Sequence, residues 1–197
     1  MPDKICVIVG ASHAGVQLAL SLRQGGWGGK IQLVSDEPAA PYQRPPLSKG
    51  VLDGSKEPEA IALRPATLLE KSDLEFIPGR RVTRIDRQKR LLELDNGVYL
   101  PYDKLALTTG ARPRTLSLTG HDQDGVFYLR TLADVEQMRP FVTAARSVVI
   151  VGGGYIGLEA AAVLRELGLE VTIIEALPRV LQRVTATEVS AFFQRVH

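Results

Sequence analysis

The sequence holds a single cysteine, Cys6, in 197 residues, so no intrachain disulfide can form. Cys6 falls inside an apolar strand pattern and reads as a small buried hydrophobe. A chain this poor in cysteine fits a reducing, cytoplasmic compartment. Histidine is also scarce, with three in the chain. His13, His121 and His197 have no metal-ligand spacing around them, so no metal site is expected. Basic residues (24) nearly balance acidic ones (22), and a formal net charge of +2 argues neither way about nucleic acid. No long basic run supports such a partner, and none is expected. No apolar run approaches the ~18 uncharged residues that a membrane helix needs, so no membrane partner is expected either. Met1-Pro2-Asp3-Lys4 leads straight into a strand-length apolar run, which argues against a secretory signal. What remains is ordinary globular composition, 45% hydrophobic and 23% charged, in a chain long enough for one large domain or one and a half.

Glycine is plentiful and patterned. Residues 147–161, SVVIVGGGYIGLEAA, read as a strand, a glycine turn and a helix opening at Tyr155. Gly152, Gly154 and Gly157 stand at GxGxxG spacing: a tight turn, an approach for a pyrophosphate, and close helix–strand packing. The helix start, with Tyr155 and Ile156 in its first turn, offers backbone N–H groups and partial positive charge to phosphates. Glu175 ends the next apolar run, LEVTIIE, where a ribose hydroxyl needs an acceptor. Residues 4–35 repeat the plan with KICVIV, GASHAG, a helix and KIQLVS. Gly10 and Gly15 keep the outer glycines, while Ser12 replaces the middle one and offers a hydroxyl. Asp36 and Glu37 follow the second strand, and Asp36 lies nearer the strand end. Two dinucleotide sites in one chain suggest two cofactors exchanging electrons.

Between these units runs PYQRPPLSKG, 41–50, stiffened by its prolines, with Ser48 placed to cap a short helix beginning at Lys49. The same stretch also reads as a surface loop with solvated Arg44 and Lys49. A polar, mobile link over 53–60 and a short helix after Pro65 come next. From 74 to 108 the pattern turns to β, with Asn96-Gly97 as a hairpin signal. Thr108, Thr109 and Gly110 end a strand where open α/β sheets bind ligands. Thr131 and Asp134 mark the start of a further helix. The apolar helix from Tyr155 is expected to be buried, which makes Glu159 conspicuous. An unpaired buried carboxylate is costly, so it needs a cationic partner or the cofactor crevice. The expected fold class is α/β. It comprises two Rossmann-like, doubly wound parallel-sheet domains: 1–110, carrying a β-meander insertion, and 111–197, whose sheet is unfinished.

GASHAG, SDEPAAPYQRPPLSKG, LALTTGARPR, YLRTLAD, VVIVGGGYIGLEAA and VTIIEALPRVLQRV together resemble the FAD-dependent ferredoxin reductases. These are the putidaredoxin-, rubredoxin- and dioxygenase-type NADH reductases within the two-dinucleotide-domain flavoproteins, and the resemblance covers about the first half of such an enzyme. It implies FAD at Gly10, Ser12, Ala14 and Gly15, with Asp36 on the ribose, Val82 at the adenine, and Thr109 and Gly110 lining the crevice. Arg44, Lys49 and Arg130 would also reach FAD, and Lys49 would pair with Glu159 beside the reactive flavin nitrogen. Tyr155 would cover the flavin face and move aside for nicotinamide. Electrons would pass from NAD(H) through FAD to a [2Fe-2S] ferredoxin or similar iron–sulfur protein, with room for a homodimer through a C-terminal region absent here. A disulfide reductase of this superfamily would need a cysteine where PPLSK has none. Glu175 favours NADH over NADPH, although Arg179 and Arg183 lie close by in sequence. An NADH oxidase or nitrite-reductase-like flavoprotein, a structural or signalling protein like apoptosis-inducing factor, and an inactive binding fragment remain as alternatives.

Overall fold

The computed structural model describes residues 4–196, so His197 lies outside it. The chain divides into two units, Met1–Gln43 with Glu59–Arg112, and Arg44–Pro58 with Pro113–His197. The first unit ends at Arg112. The proline segment 44–58, read from the sequence as part of the first domain, instead groups with the second unit.

In the first unit, β1 (Ile5–Val9) leads through α1 (His13–Gln24) to β2 (Lys30–Val34). The short α2 (Ala66–Lys71) precedes β3 (Leu74–Ile77). β4 (Val82–Asp86), β5 (Leu91–Leu94) and β6 (Tyr99–Pro101) form an antiparallel meander, and β7 (Lys104–Leu107) returns to the main sheet. That sheet is parallel in the order β3-β2-β1-β7. Alternation along the strands sorts its core into two faces. Cys6, Ile8, Ile31 and Leu33 pack with Val16, Ala19 and Leu20 of α1. Val7 and Val34 pack with Leu92 and Leu94 of the meander. Burial pushes the Cys6 thiol pKa up, which keeps it an inert packing group. The chain winds outward from β1 to β3 and then crosses to the other edge of β1. The switch point, where open α/β sheets bind ligands, therefore lies at the ends of β1 and β7.

In the second unit, α3 (Leu132–Ala144) precedes β8 (Ser147–Val151), α4 (Tyr155–Glu166), β9 (Glu170–Ile174) and α5 (Thr187–Val196). β8 and β9 pair in parallel, with Ser147 opposite Glu170 and Val151 opposite Ile174. Leu158, Ala160, Ala161 and Leu164 bury one side of α4, but Tyr155 and Ile156 are about half exposed, at 52% and 51%. The expectation of a fully buried helix is thus corrected, because two strands cover only one flank of it. Val149, Val151 and Ile174 are likewise more than half exposed. The segment 44–58 is wound into hydrogen-bonded turns, with Leu47, Val51 and Leu52 buried. Its 3-10 turn covers Pro45–Ser48, and no helix begins at Lys49. Two prolines have φ preset for the first turn and no N–H to lose, so the helical turn starts at them. Among the described residues no helix is long and apolar enough to cross a membrane.

Both glycine turns bring a helix into backbone contact with the strand before it. A Cβ on Gly157 would lie 2.0 Å from the Gly152 carbonyl oxygen, whereas one on Gly154 would meet nothing within 4 Å. Gly157→Ala should therefore lower stability by about 1–3 kcal/mol in urea or thermal unfolding. Gly154→Ala, at an ordinary φ of -83°, should change it by no more than about 0.5 kcal/mol. Equal losses in the two variants would contradict this packing.

Candidate functional site

In the first unit the Gly10 amide donates to the Val34 carbonyl at 2.8 Å, which folds the end of β1 over β2. A Cβ on Gly15 would lie 1.9 Å from the Gly10 oxygen, so α1 starts hard against that strand end. The Thr108 hydroxyl donates to the Gly10 carbonyl at 2.7 Å. It braces the turn from within, a role the sequence reading missed when it gave both hydroxyls to the crevice. Thr109 and Gly110 follow as exposed residues beyond the end of β7. The second unit repeats the arrangement, with the Gly152 amide donating to Ile174 at 2.8 Å.

The starts of the helices differ in a telling way. At α3, Thr131 accepts from the Asp134 amide while Asp134 accepts from the Thr131 amide, a complete capping box. Neither α1, with Ser12 at its N-cap, nor α4, with Gly154 there, receives any side-chain cap. The first-turn amides of a helix have no intrahelical acceptor, so an uncapped start offers N–H groups and partial positive charge to an anion. At α4 the space that a Cβ on Gly152 or Gly154 would enter is open. Tyr155 and Ile156 border that space, and Ala14 is exposed at the matching position of α1. The donors and the room both fit a dinucleotide pyrophosphate.

The acids divide by partner. Asp36 lies 3.2 Å from Arg81 and 3.9 Å from Arg112 at the exposed end of β2. Arg81 carries Val82 to the same strand end, and Val82 packs against the cluster containing Val34. Glu37 instead accepts from the hydroxyl of buried Tyr42. Glu175 accepts from the Leu177 amide at 2.9 Å and the Gly153 amide at 2.8 Å. Those two amides hold its carboxyl below the usual range, against slight burial. Glu175 therefore ties β9 to the glycine turn, with the Ala176 amide and the Arg183 charge also acting on its carboxylate.

Arg179 was left open by the sequence as a phosphate ligand, and the structure commits it elsewhere. Its guanidinium donates to the Thr185 carbonyl at 3.0 Å, to Gln182 at 3.3 Å and to the Ser190 hydroxyl. Ser190 is fully buried and donates in turn to the Val180 carbonyl at 2.6 Å. The knot holds the loop after Glu175 against α5.

The remaining predicted residues meet in the second unit. Lys49 Nζ lies 2.6 Å from Glu159 Oε2, the ion pair the resemblance implied. The Ser48 hydroxyl donates to the same oxygen at 2.6 Å, across 111 residues of sequence. Ser48 is thus no helix cap, and nothing local in the sequence pointed to this contact. Burial raises the Glu159 pKa, but the Lys49 ammonium and the Ser48 hydroxyl outweigh it and leave the carboxyl below its usual range. Arg44 donates to the Arg130 carbonyl at 2.7 Å, and the Arg130 amide donates to Asp134 at 2.9 Å. Among the described residues no group of three His, Cys, Asp or Glu could hold a metal ion.

Comparison with known proteins places these features in context. The family model described as pyridine nucleotide-disulphide oxidoreductase matches residues 4–197. Rhodocoxin reductase of Rhodococcus erythropolis is 42% identical over 97% of this chain and 45% of its own length. A ferredoxin–NAD(P)+ reductase of a Sphingomonas species is 46% identical over 97% of this chain and 46% of its own. The reductase in the covalent putidaredoxin reductase–putidaredoxin complex superposes with a TM-score of 0.93 at 40% identity, over 100% of this chain and 48% of its own. The chain spans about half the length of these relatives.

The depressed Glu159 pKa fixes a pH dependence. Its contribution to stability is complete above the ordinary carboxylate pKa and is lost as pH falls through the lower folded value. Thermal midpoints should therefore fall on acidification, and Glu159→Gln should flatten part of that fall while lowering the neutral plateau. A wild-type slope kept by Glu159→Gln would contradict the assignment.

Proposed function

We propose a function from the premise that the chain belongs to the pyridine nucleotide-disulphide oxidoreductase family, as its match over residues 4–197 shows. The protein is an NADH-dependent flavoprotein reductase that delivers electrons to a [2Fe-2S] ferredoxin or similar iron–sulfur protein of an oxygenase system. The observation that carries this reading is the pair of uncapped helix starts behind glycine turns, in a chain that caps α3 completely. The relatives' names support the partner class: one is a ferredoxin–NAD(P)+ reductase and another is bound to putidaredoxin.

We assign Gly10, Ser12, Ala14 and Gly15 to the FAD pyrophosphate, with the O–H of Ser12, which makes no cap bond at α1, as a donor. Asp36 takes the ribose, Val82 the adenine, and Thr109 and Gly110 the crevice edge. Arg44 and Arg130 complete the contacts to FAD. Gly152, Gly154, Ile156 and Gly157 receive the nicotinamide dinucleotide, with Glu175 accepting from its ribose. A carboxylate there repels a 2′-phosphate. The knot around Arg179 withholds that cation from the same place, whereas Arg183 stays close enough to act on the Glu175 carboxylate. FAD, when bound, supplies acceptance of two electrons from NADH and their release one at a time. Each NADH thus reduces two ferredoxins and leaves NAD+ and one proton. The chain's own part is positioning and charge. Lys49, oriented by Glu159, stabilises negative charge on the reduced flavin, and Tyr155 screens the site until nicotinamide arrives.

Stopped-flow reduction of the FAD-loaded protein tests the assignment. NADH should reduce it at least tenfold faster than NADPH, and Lys49→Ala should slow reduction while the flavin absorbance stays with the protein. Unchanged kinetics in Lys49→Ala, or equal rates with both nucleotides, would contradict it. Oxygen uptake as fast without ferredoxin as with it would mark an oxidase instead.

A further inference from the structure

Glu159 Oε2 carries two donors of unlike character. Lys49 Nζ reaches it from a side chain that is 49% exposed, and its other acceptor is the Pro45 carbonyl at 3.3 Å. Ser48 reaches it from a residue only 4% exposed, anchored by the 3-10 turn over Pro45–Ser48. Its hydroxyl has one proton, and the carboxylate at 2.6 Å takes it in preference to the Pro45 carbonyl at 3.4 Å. One donor is therefore fixed by the fold, and the other sits on a long, half-solvated stem with several rotatable bonds.

We infer that Ser48 is a positioning residue whose buried hydroxyl keeps the Glu159 carboxylate charged and oriented, so that Lys49 can leave that oxygen while the site holds its shape. The inference rests on the assignment of Lys49 to the reduced flavin. A lysine that answers charge developing elsewhere must break its bond to Glu159. A carboxylate left with no donor in a half-buried place would take up a proton or swing away. Ser48 prevents both. The charged group acting on Glu159 among the described residues is Lys49. Arg44, on the same segment, donates to the Arg130 carbonyl.

The test follows the Glu159 carboxyl by carbon-13 NMR titration of the flavin-free protein, alongside the pH profile of NADH-driven flavin reduction. Ser48→Ala should move the Glu159 titration upward, and Ser48→Thr should restore it. On the acid limb of the profile Ser48→Ala should reduce the rate about tenfold, the loss of one hydrogen bond to a charged group, with the neutral plateau retained. In Lys49→Ala, with Ser48 intact, Glu159 should titrate below its position in the Ser48→Ala/Lys49→Ala double variant, which separates the hydroxyl from the ammonium. Ser48→Thr alone, which keeps the hydroxyl, should leave the wild-type titration unmoved, a measurement that does not depend on Ser48→Ala folding. An unmoved Glu159 in Ser48→Ala, a failed rescue by threonine, or the same Glu159 titration in Lys49→Ala and in the Ser48→Ala/Lys49→Ala double variant would each overturn the inference. If Glu159 responds as stated while Lys49→Ala reduces flavin normally, the role of Lys49 at the flavin falls and the hold of Ser48 on Glu159 stands.

Discussion

The structure depends on a contact between backbones. Gly15 sits against the carbonyl of Gly10, and Gly157 against that of Gly152, with no room for a methyl group at either helix. This contact sets a helix start directly beyond a strand end, and it makes the same turn twice in one chain. With the helix pinned there, its first-turn amides point into the turn. Any ordinary protein would satisfy them with a capping side chain, as α3 does with Thr131 and Asp134. Leaving them open forgoes roughly 1 kcal/mol at α1 and a few tenths at α4, whose N-cap is a glycine. That loss makes physical sense where a ligand supplies the acceptor.

Around these turns the fold uses small polar braces. Thr108 secures Gly10 from the end of the neighbouring β7, and Glu175 secures Gly153 from β9. Ser190 gathers Arg179 and Val180 into a buried knot below the loop. Each brace bonds a backbone group or a charged group that would otherwise be unsatisfied. The Glu159 site works on the same principle with higher stakes. It is a carboxylate in partial burial, kept ionised by a hydroxyl and an ammonium on one oxygen. At 36% side-chain exposure, solvent screens the pair too much for it to be a major source of stability. Orientation of Lys49 is the better account of why it exists.

Much of this was legible in the sequence because its signals are local. The short apolar runs marked β1, β2, β8 and β9, and the glycines at fixed spacing marked the turns. Thr131 with Asp134 marked a helix start, and the isolated Glu159 in an apolar helix announced a need for a partner. Its partner was legible only through resemblance, since residues 49 and 159 share no periodic signal. Ser48 was misread, and Arg179 was left open, for the opposite reason. A serine after two prolines fits a local cap, and an arginine after an acidic strand end fits a phosphate ligand, but both were claimed by contacts that only the folded chain brings into reach. The overstated burial of α4 has a similar origin. Composition shows that a helix is apolar but not how many strands lie beneath it.

The account's central claim is that the two uncapped helix starts are separate cradles with different occupants. Amide chemical shifts measured while FAD and NADH are added one at a time test it most directly. FAD alone should move the amides of His13, Ala14 and Gly15, and NADH added afterwards should move those of Tyr155, Ile156 and Gly157. Shifts at neither helix start, or both nucleotides acting on the same one, would contradict it.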